Sequence, residues 1–432
     1  MRSNYKKLGC YIQQVDIRNK DNKVNYLRGI SSIYKELMPS KANIVGTDMS
    51  KYKIVQKGQF AFNPNTARMG DKIPIALNLG EPCIVSQIYP VFEIIDETKL
   101  LPEYLIMWFK REEFDRYARY KSHGSAREIF DWEEMCDVEL PIPSIEKQRE
   151  IVAEYYTITN RIKLNEQLNQ KLEETTQAIY KEWFVDFNFS HNFSHSESSS
   201  LSMSKCDSES DIRPYKSGGG EMVYCKELEK EIPKGWGVID LQKICTIKGG
   251  KRLPKNETLS KIKNEHPYIK IADMTDTKFI SLSNDFEFVD DEVQKKISKY
   301  IVEKDDIIIS IVGATIGIVN IIDESLDQAN LTENCVKLTN LKNTTKDYLY
   351  HYFYSSFIRN EIEKRIVGGA QGKLPIYNIE SMPILCPERN VVNLFSRLSL
   401  KINNLMKDKT LEIILLEQLL EIAFLRMATV EG

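Results

Sequence analysis

The sequence of 432 residues lacks several things that would place it at once. No apolar run approaches the ~18 residues of a membrane-spanning helix, so a membrane span is not expected. The opening stretch MRSNYKKLGCYIQQ has no apolar signal core, and a cytoplasmic protein is expected. Eight cysteines are scattered without one CxxC pair, which argues for reduced thiols rather than zinc or disulfides. Net charge is small, formally −3 at pH 7, and excludes a simple polycation. Catalytic signatures are missing too: there is no GxSxG, no HExxH, no GxGxxG in a strand-turn-helix setting, and no GK[ST] behind the glycine-rich stretch at Val367–Lys373. Phe62-Asn63-Pro64-Asn65 resembles the base-flipping motif NPP[YF] only in part, because the second proline and the aromatic are absent.

What is present is a duplication. VGGAQGKLPIYNIESMPILCP (Val367–Pro387) has a counterpart in HGSAREIFDWEEMCDVELPIP (His123–Pro143). At a constant offset of 244, Tyr104-Leu105 falls on Tyr348-Leu349, Gly124 on Gly368, Met135 on Ile379 and Pro143 on Pro387. Upstream, IVQKGQFAF (Ile54–Phe62) matches IVEKDDIII (Ile301–Ile309) at an offset of 247. Each repeat has one internal order: a basic mixed region, β-rich segments such as DDIIISIVGATIGIVNII, an amphipathic helix (LPEYLIMWFKREEFDRYARY or KDYLYHYFYSSFIRNEIEKR), the glycine loop, a short strand and a proline. Met1–Lys72 holds 14 Lys+Arg against 5 Asp+Glu, and Leu241–Lys278 holds 9 against 4. Two basic regions at matching places suggest a polyanionic partner rather than a merely solvated face.

After its proline each repeat enters a long helix. The first, 145–187, carries Ile151, Tyr155, Ile158, Ile162, Leu172, Ile179 and Trp183, with polar interruptions at Asn165 and Thr176. The second, 388–432, carries Leu398, Ile402 and Leu405, then resumes out of phase at Leu411, Leu415, Leu419 and Ile422. Two such stripes, one per repeat, predict an antiparallel pair. About forty residues at ~1.5 Å each span ~60 Å, more than one DNA turn of ~34 Å. Between the halves, residues 188–222 are rich in serine and glycine and read as a flexible linker; His191 and His195 in it lack the further ligands a metal site needs. The expected domains are therefore 1–144, the helix 145–187, the linker 188–222, 223–387, and the helix 388–432. The fold class is α+β, with mixed domains built on a twisted β-sheet and a pseudo-two-fold internal repeat.

Three stretches carry a specific resemblance: PIPSIEKQREIVAEYY, EIPKGWGVIDLQKICTIKGGKR, and the paired loop-to-proline segments. In that order, over nearly the whole chain, they resemble the specificity subunit of type I restriction-modification systems. The resemblance implies a non-catalytic subunit with two target recognition domains, each reading one half of a bipartite double-stranded DNA sequence. It implies helices that set the spacing and dock two methyltransferase subunits, which in turn carry the restriction/translocase subunits. No cofactor is implied for this chain; S-adenosylmethionine, ATP and magnesium belong to the partner subunits. The first repeat departs from the pattern, lacking the Pro-x-Gly-Trp lead-in of Pro233–Trp236, so the two repeats are expected to dock their first segments differently.

On this footing the expected DNA contacts are Asn63, Asn65, Arg68, Lys72, Ser122 and Arg127 in the first repeat, and Lys251, Arg252, Lys270, Thr315, Gln371 and Lys373 in the second. Guanidinium forks suit guanine edges and phosphates, while Asn63 and Asn65 beside Pro64 would also serve as turn formers. Tyr155, Tyr156, Trp183 and Phe184 are the expected partner anchors, with packing between the helices as the competing role. Two other readings stay open: a methylation-only or shuffled system, and a coiled-coil scaffold that binds no DNA.

Overall fold

The structure, a computed structural model, describes residues 5–40, 46–65, 72–122, 128–192, 212–275, 277–369 and 372–428. The chain forms two compact units, residues 1–168 with 408–432, and residues 169–407.

In the first unit, β1 (Tyr5–Lys7) pairs antiparallel with β6 (Glu139–Pro141). Strands β2 (Ile12–Val15), β3 (Phe60–Phe62), β4 (Ile75–Leu77) and β5 (Val91–Ile94) form a sheet in the order β2-β5-β3-β4. Every residue of Phe60-Ala61-Phe62 is buried, because helices cover one face and small strands the other. Pro102 opens α1 (Pro102–Phe109), whose PEYLIMWF sequence is nearly all apolar and lies in the core. Then come α2 (Glu112–Lys121), α3 (Trp132–Cys136) and the long α4 (Ile145–Phe184).

The second unit repeats the plan. Here β7 (Gly237–Asp240) pairs with β13 (Pro383–Cys386), and β8 (Thr246–Gly249), β9 (Phe279–Ile280), β10 (Ile307–Ser310), β11 (Val319–Ile322) and β12 (Cys335–Thr339) form a sheet in the order β8-β12-β10-β11-β9. Except for the added β9, this is the strand order of the first sheet. Besides a short helix at Asp291–Ile297, the unit carries α5 (Lys346–Tyr354), α6 (Ser356–Arg365), α7 (Ile376–Glu380) and α8 (Arg389–Met427).

Matched hydrogen bonds show how closely the units correspond. Tyr104 Oη donates to Pro141 O at 3.0 Å, and Tyr348 Oη to Leu385 O at 2.8 Å. Leu8 N donates to Val138 O at 2.8 Å, and Leu241 N to Met382 O at 2.9 Å. Both repeats thus dock their first strand alike. What the Pro-x-Gly-Trp lead-in adds is Trp236, which packs among Phe184, Phe187 and Phe189.

Three sequence expectations change. The amphipathic helix of each repeat is two helices. In the second, Ser355 ends α5 in an extended conformation and caps α6, its side chain accepting from Ile358 N; in the first, Arg111 is the extended residue at the break. The stretch 188–222 is not linker throughout, because Ser190–Asn192 pairs with Ile212–Pro214, and Phe189 stacks on Tyr215 and Trp236, so its described ends are ordered by a strand pair and aromatic contacts. Finally, the units divide within the long helices rather than at their ends. In the first unit, Tyr155 packs on Phe424 and Arg161 pairs with Glu412 at 2.6 Å, so the two helix segments run antiparallel. In the second, Tyr180, Trp183 and Phe184 close on Phe395. The polar interruptions, Asn165 in the first unit and Thr176 in the second, are both buried. Among the described residues no helix is long and apolar enough to cross a membrane.

Candidate nucleic-acid interface

At one end of the second sheet the backbone converges. Beyond β8, Gly250 N donates to Cys335 O and Lys251 N to Leu331 O at 2.8 Å. Glycine is required at 250, since a Cβ there would lie 2.0 Å from Thr332 O. Beyond β10, Ile311 N donates to Asn334 O, and Leu374 N donates to Ile311 O, both at 2.9 Å. Val312 bridges Lys373, and Gly313 N donates to Gly372 O. Ile269 O accepts from Thr332 N, which brings in the next residue, Lys270. Lys251, Arg252, Lys270, Thr315 and Lys373, distant in sequence, are thereby gathered on adjoining segments at this sheet end.

Their side chains differ in readiness. Lys251 and Lys373 are exposed. Arg252 is exposed as well, with Nε 2.5 Å from Glu333 Oε1. Burial would raise the Glu333 carboxyl, but Arg252, a backbone N–H and the Thr332 hydroxyl hold it below its ordinary value. Lys270 pairs with Glu287 at 2.5 Å, and the Thr315 and Ser310 hydroxyls share a 3.0 Å hydrogen bond. Each cation is aimed by a carboxylate or left to solvent, an arrangement that suits phosphates and base edges.

The first unit builds the same place from other residues. Asn65 bridges Ile129, as Val312 bridges Lys373, and Phe130 N donates to Pro64 O at 2.8 Å. Asn63 is buried; its Oδ1 accepts from Asn65 N at 3.1 Å, so it acts as a turn former. Asn65 Oδ1 has no hydrogen-bond donor among the described residues. Ser122 Oγ donates to Ala118 O at 2.7 Å, at the end of α2. Lys72 is exposed. Its neighbour Ile73 is clamped: Ile73 N donates to Asp115 Oδ1, and Lys35 Nζ, buried 2.5 Å from that oxygen, donates to Ile73 O. Burial lowers the Lys35 pKa, against the pull of Asp115. Arg68, Arg127 and Gln371 lie outside the described residues.

A residue the sequence reading passed over belongs here. Arg18 lies three residues beyond the end of β2, as Arg252 lies three beyond the end of β8, and it too is held by a carboxylate, Nε to Asp16 Oδ1 at 2.8 Å. Extending the repeat alignment to the first strands would have found it. The charge count also needs correction, because Lys35 and Lys278 lie buried in ion pairs and add little to the surface field.

Three of the four expected helix anchors take the packing role instead. Tyr155, Trp183 and Phe184 are buried in the chain's own aromatic clusters, and Tyr156 is half-buried against Tyr155. Exposed instead are Leu411, Ile414, Leu415, Leu419, Ile422 and Leu425 on α8, at 43–60%. At ~100° per residue they fall on the face opposite Leu420, Phe424 and Met427.

A sheet with a convergent, cation-bearing end, present twice with different side chains, defines a duplicated recognition protein. The family model described as the type I restriction modification DNA specificity domain matches residues 8–174 and again 233–413, and the chain belongs to that family. It is 23% identical over 313 residues to the type I restriction enzyme MjaIX specificity subunit of Methanocaldococcus jannaschii, a match spanning 71% of this chain and 63% of that protein. The crystal structure of a type I restriction-modification system S subunit from M. genitalium shares the fold, with TM-score 0.51 and 13% identity over 99% of this chain and 96% of that one.

Proposed function

We propose that this chain is the DNA-recognition subunit of a type I restriction-modification enzyme, each unit reading one half of a two-part target. The carrying observation is that one sheet end is built twice on the same backbone plan, each time with its own cations. Shared backbone explains a common mode of approach to DNA, and unlike side chains explain unlike half-sites. The two long helices set the spacing, and the exposed stripe Leu411–Leu425 on α8 docks a methyltransferase subunit. This stripe replaces the buried aromatic anchors: a helix apolar on both faces covers its second face with another protein. S-adenosylmethionine, ATP and magnesium are bound by those partners, and reaction chemistry is theirs.

The test is a long-read map of methylated adenines in the native host with and without the gene. The expected result is a two-part motif with a constant gap that loses methylation on deletion. An unchanged map would overturn the reading.

A further inference from the structure

Lys278 closes the basic region Leu241–Lys278 in sequence, yet its side chain is 0% exposed. Its backbone belongs to the recognition sheet, because Lys278 O accepts from Ile321 N in β11, and Asn320 Nδ2 ties down Thr275 O and Thr277 O just before it. Its ammonium reaches the helices. Nζ lies 3.0 Å from Asp347 Oδ1 in α5, and donates to Asn403 Oδ1 at 3.0 Å and Ser399 Oγ at 3.3 Å in α8. Ser399 Oγ and Asn403 Nδ2 each donate to Asp347 Oδ1 at 2.8 Å, which closes the cycle. On the other side, Lys278 Nζ is 3.5 Å from His351 Nε2, and His351 Nδ1 faces Glu173 of α4 at 3.9 Å.

A buried ion pair is a weak source of stability, since apolar residues of equal volume serve as well or better. Its best attested use is to fix register, as a single polar residue does in a helix seam. Ser399 and Asn403, buried and four residues apart on one face of α8, play that part against the unit itself, since both bond Lys278 and Asp347. Sliding α8 by one turn, ~5.4 Å, would break the four hydrogen bonds that Ser399 and Asn403 make to Lys278 and Asp347. On DNA that shift equals about one and a half base pairs at ~3.4 Å each.

Resting on the reading above, we propose that Lys278 and Asp347, with Ser399 and Asn403, lock the second recognition sheet to α8 in one register and so restrict the enzyme to one gap between half-sites. Lys278 is a positioning residue that never touches DNA. It acts through the helix on the distance at which the second half-site is presented.

The test uses two chromosomal variants in the intact enzyme. Lys278→Met with Asp347→Leu removes both charges and orphans neither; Ser399→Ala with Asn403→Leu keeps the ion pair and removes the helix's share. Methylated adenines are mapped at motifs carrying the native gap and at motifs one base pair longer or shorter. In both variants the half-site sequences stay the same, and methylation at off-by-one gaps rises roughly tenfold over wild type. Methylation confined to the native gap in both variants, at any level, overturns the proposal. A gene-deletion control that leaves the wild-type motif methylated would overturn the underlying reading, and this inference with it.

Discussion

At the scale of single residues, the proposed contacts Arg18 and Arg252 distinguish two modes of DNA binding. If Arg18 and Arg252 read base edges, Arg18→Ala and Arg252→Ala each relax one position in a different half of the motif, by ~1–3 kcal/mol of discrimination. If they hold phosphates, binding weakens evenly across sequences and the salt slope falls by about one. Competition binding of the purified enzyme across salt concentrations separates the two, and we expect relaxation confined to one half per variant. His351 makes a prediction about stability. Burial, reinforced by Lys278 and opposed by Asp347, lowers its pKa well below 6.5. Below 6.5 the unfolded chain takes up a proton that the folded chain refuses, so stability falls with falling pH. Burial raises the carboxyl of nearby Glu173, whose contribution has the opposite sign. Melting temperatures from pH 7 down to pH 5.5 are therefore expected to drop more steeply for wild type than for His351→Gln; parallel curves would contradict the assignment. Lysine chemistry was the least legible from sequence. Lys35, Lys278 and Lys251 look alike in composition, and only tertiary packing decides which two are buried in ion pairs and which one faces solvent.

At the scale of elements, the duplication was legible because it rests on local chemistry that survives divergence. Tyr104 and Tyr348 make the same backbone contact, α3 and α7 begin 244 residues apart, and so do α4 and α8. Arg18 escaped because insertions of different length separate the first strand from the rest, so no single offset covers the repeat. The change of phase in α8 was also visible, but its meaning was not. Leu398 packs against the chain's own core, whereas Leu411, Leu415 and Ile422 lie on the outer face, and periodicity alone cannot say which stripe the fold covers. The same ambiguity misplaced the aromatic anchors. Leu415→Asp with Ile422→Asp should leave the melting temperature of the chain within a few degrees and abolish co-purification of the methyltransferase subunit. Phe184→Ala should instead cost about 3–5 kcal/mol of stability in denaturant titration, as expected for a buried aromatic. Loss of folding in the first variant, or none in the second, would reverse the roles given to these faces.

At the scale of the molecule, one chain carries two unlike recognition surfaces on one repeated backbone. Each unit has its own aromatic core, its own sheet, and a segment of each long helix. The account predicts that the halves of the target are read independently and that the gap between them depends on the helices and their polar register, not on the bases read. Exchange tests this most directly. Residues 241–381 would be replaced by the corresponding segment of another family member, keeping the second unit's Lys278 and Asp347 cluster, and adenine methylation mapped in the host. The predicted map shows one half of the motif replaced, the other half unchanged and the gap preserved; a map in which both halves change would contradict the account.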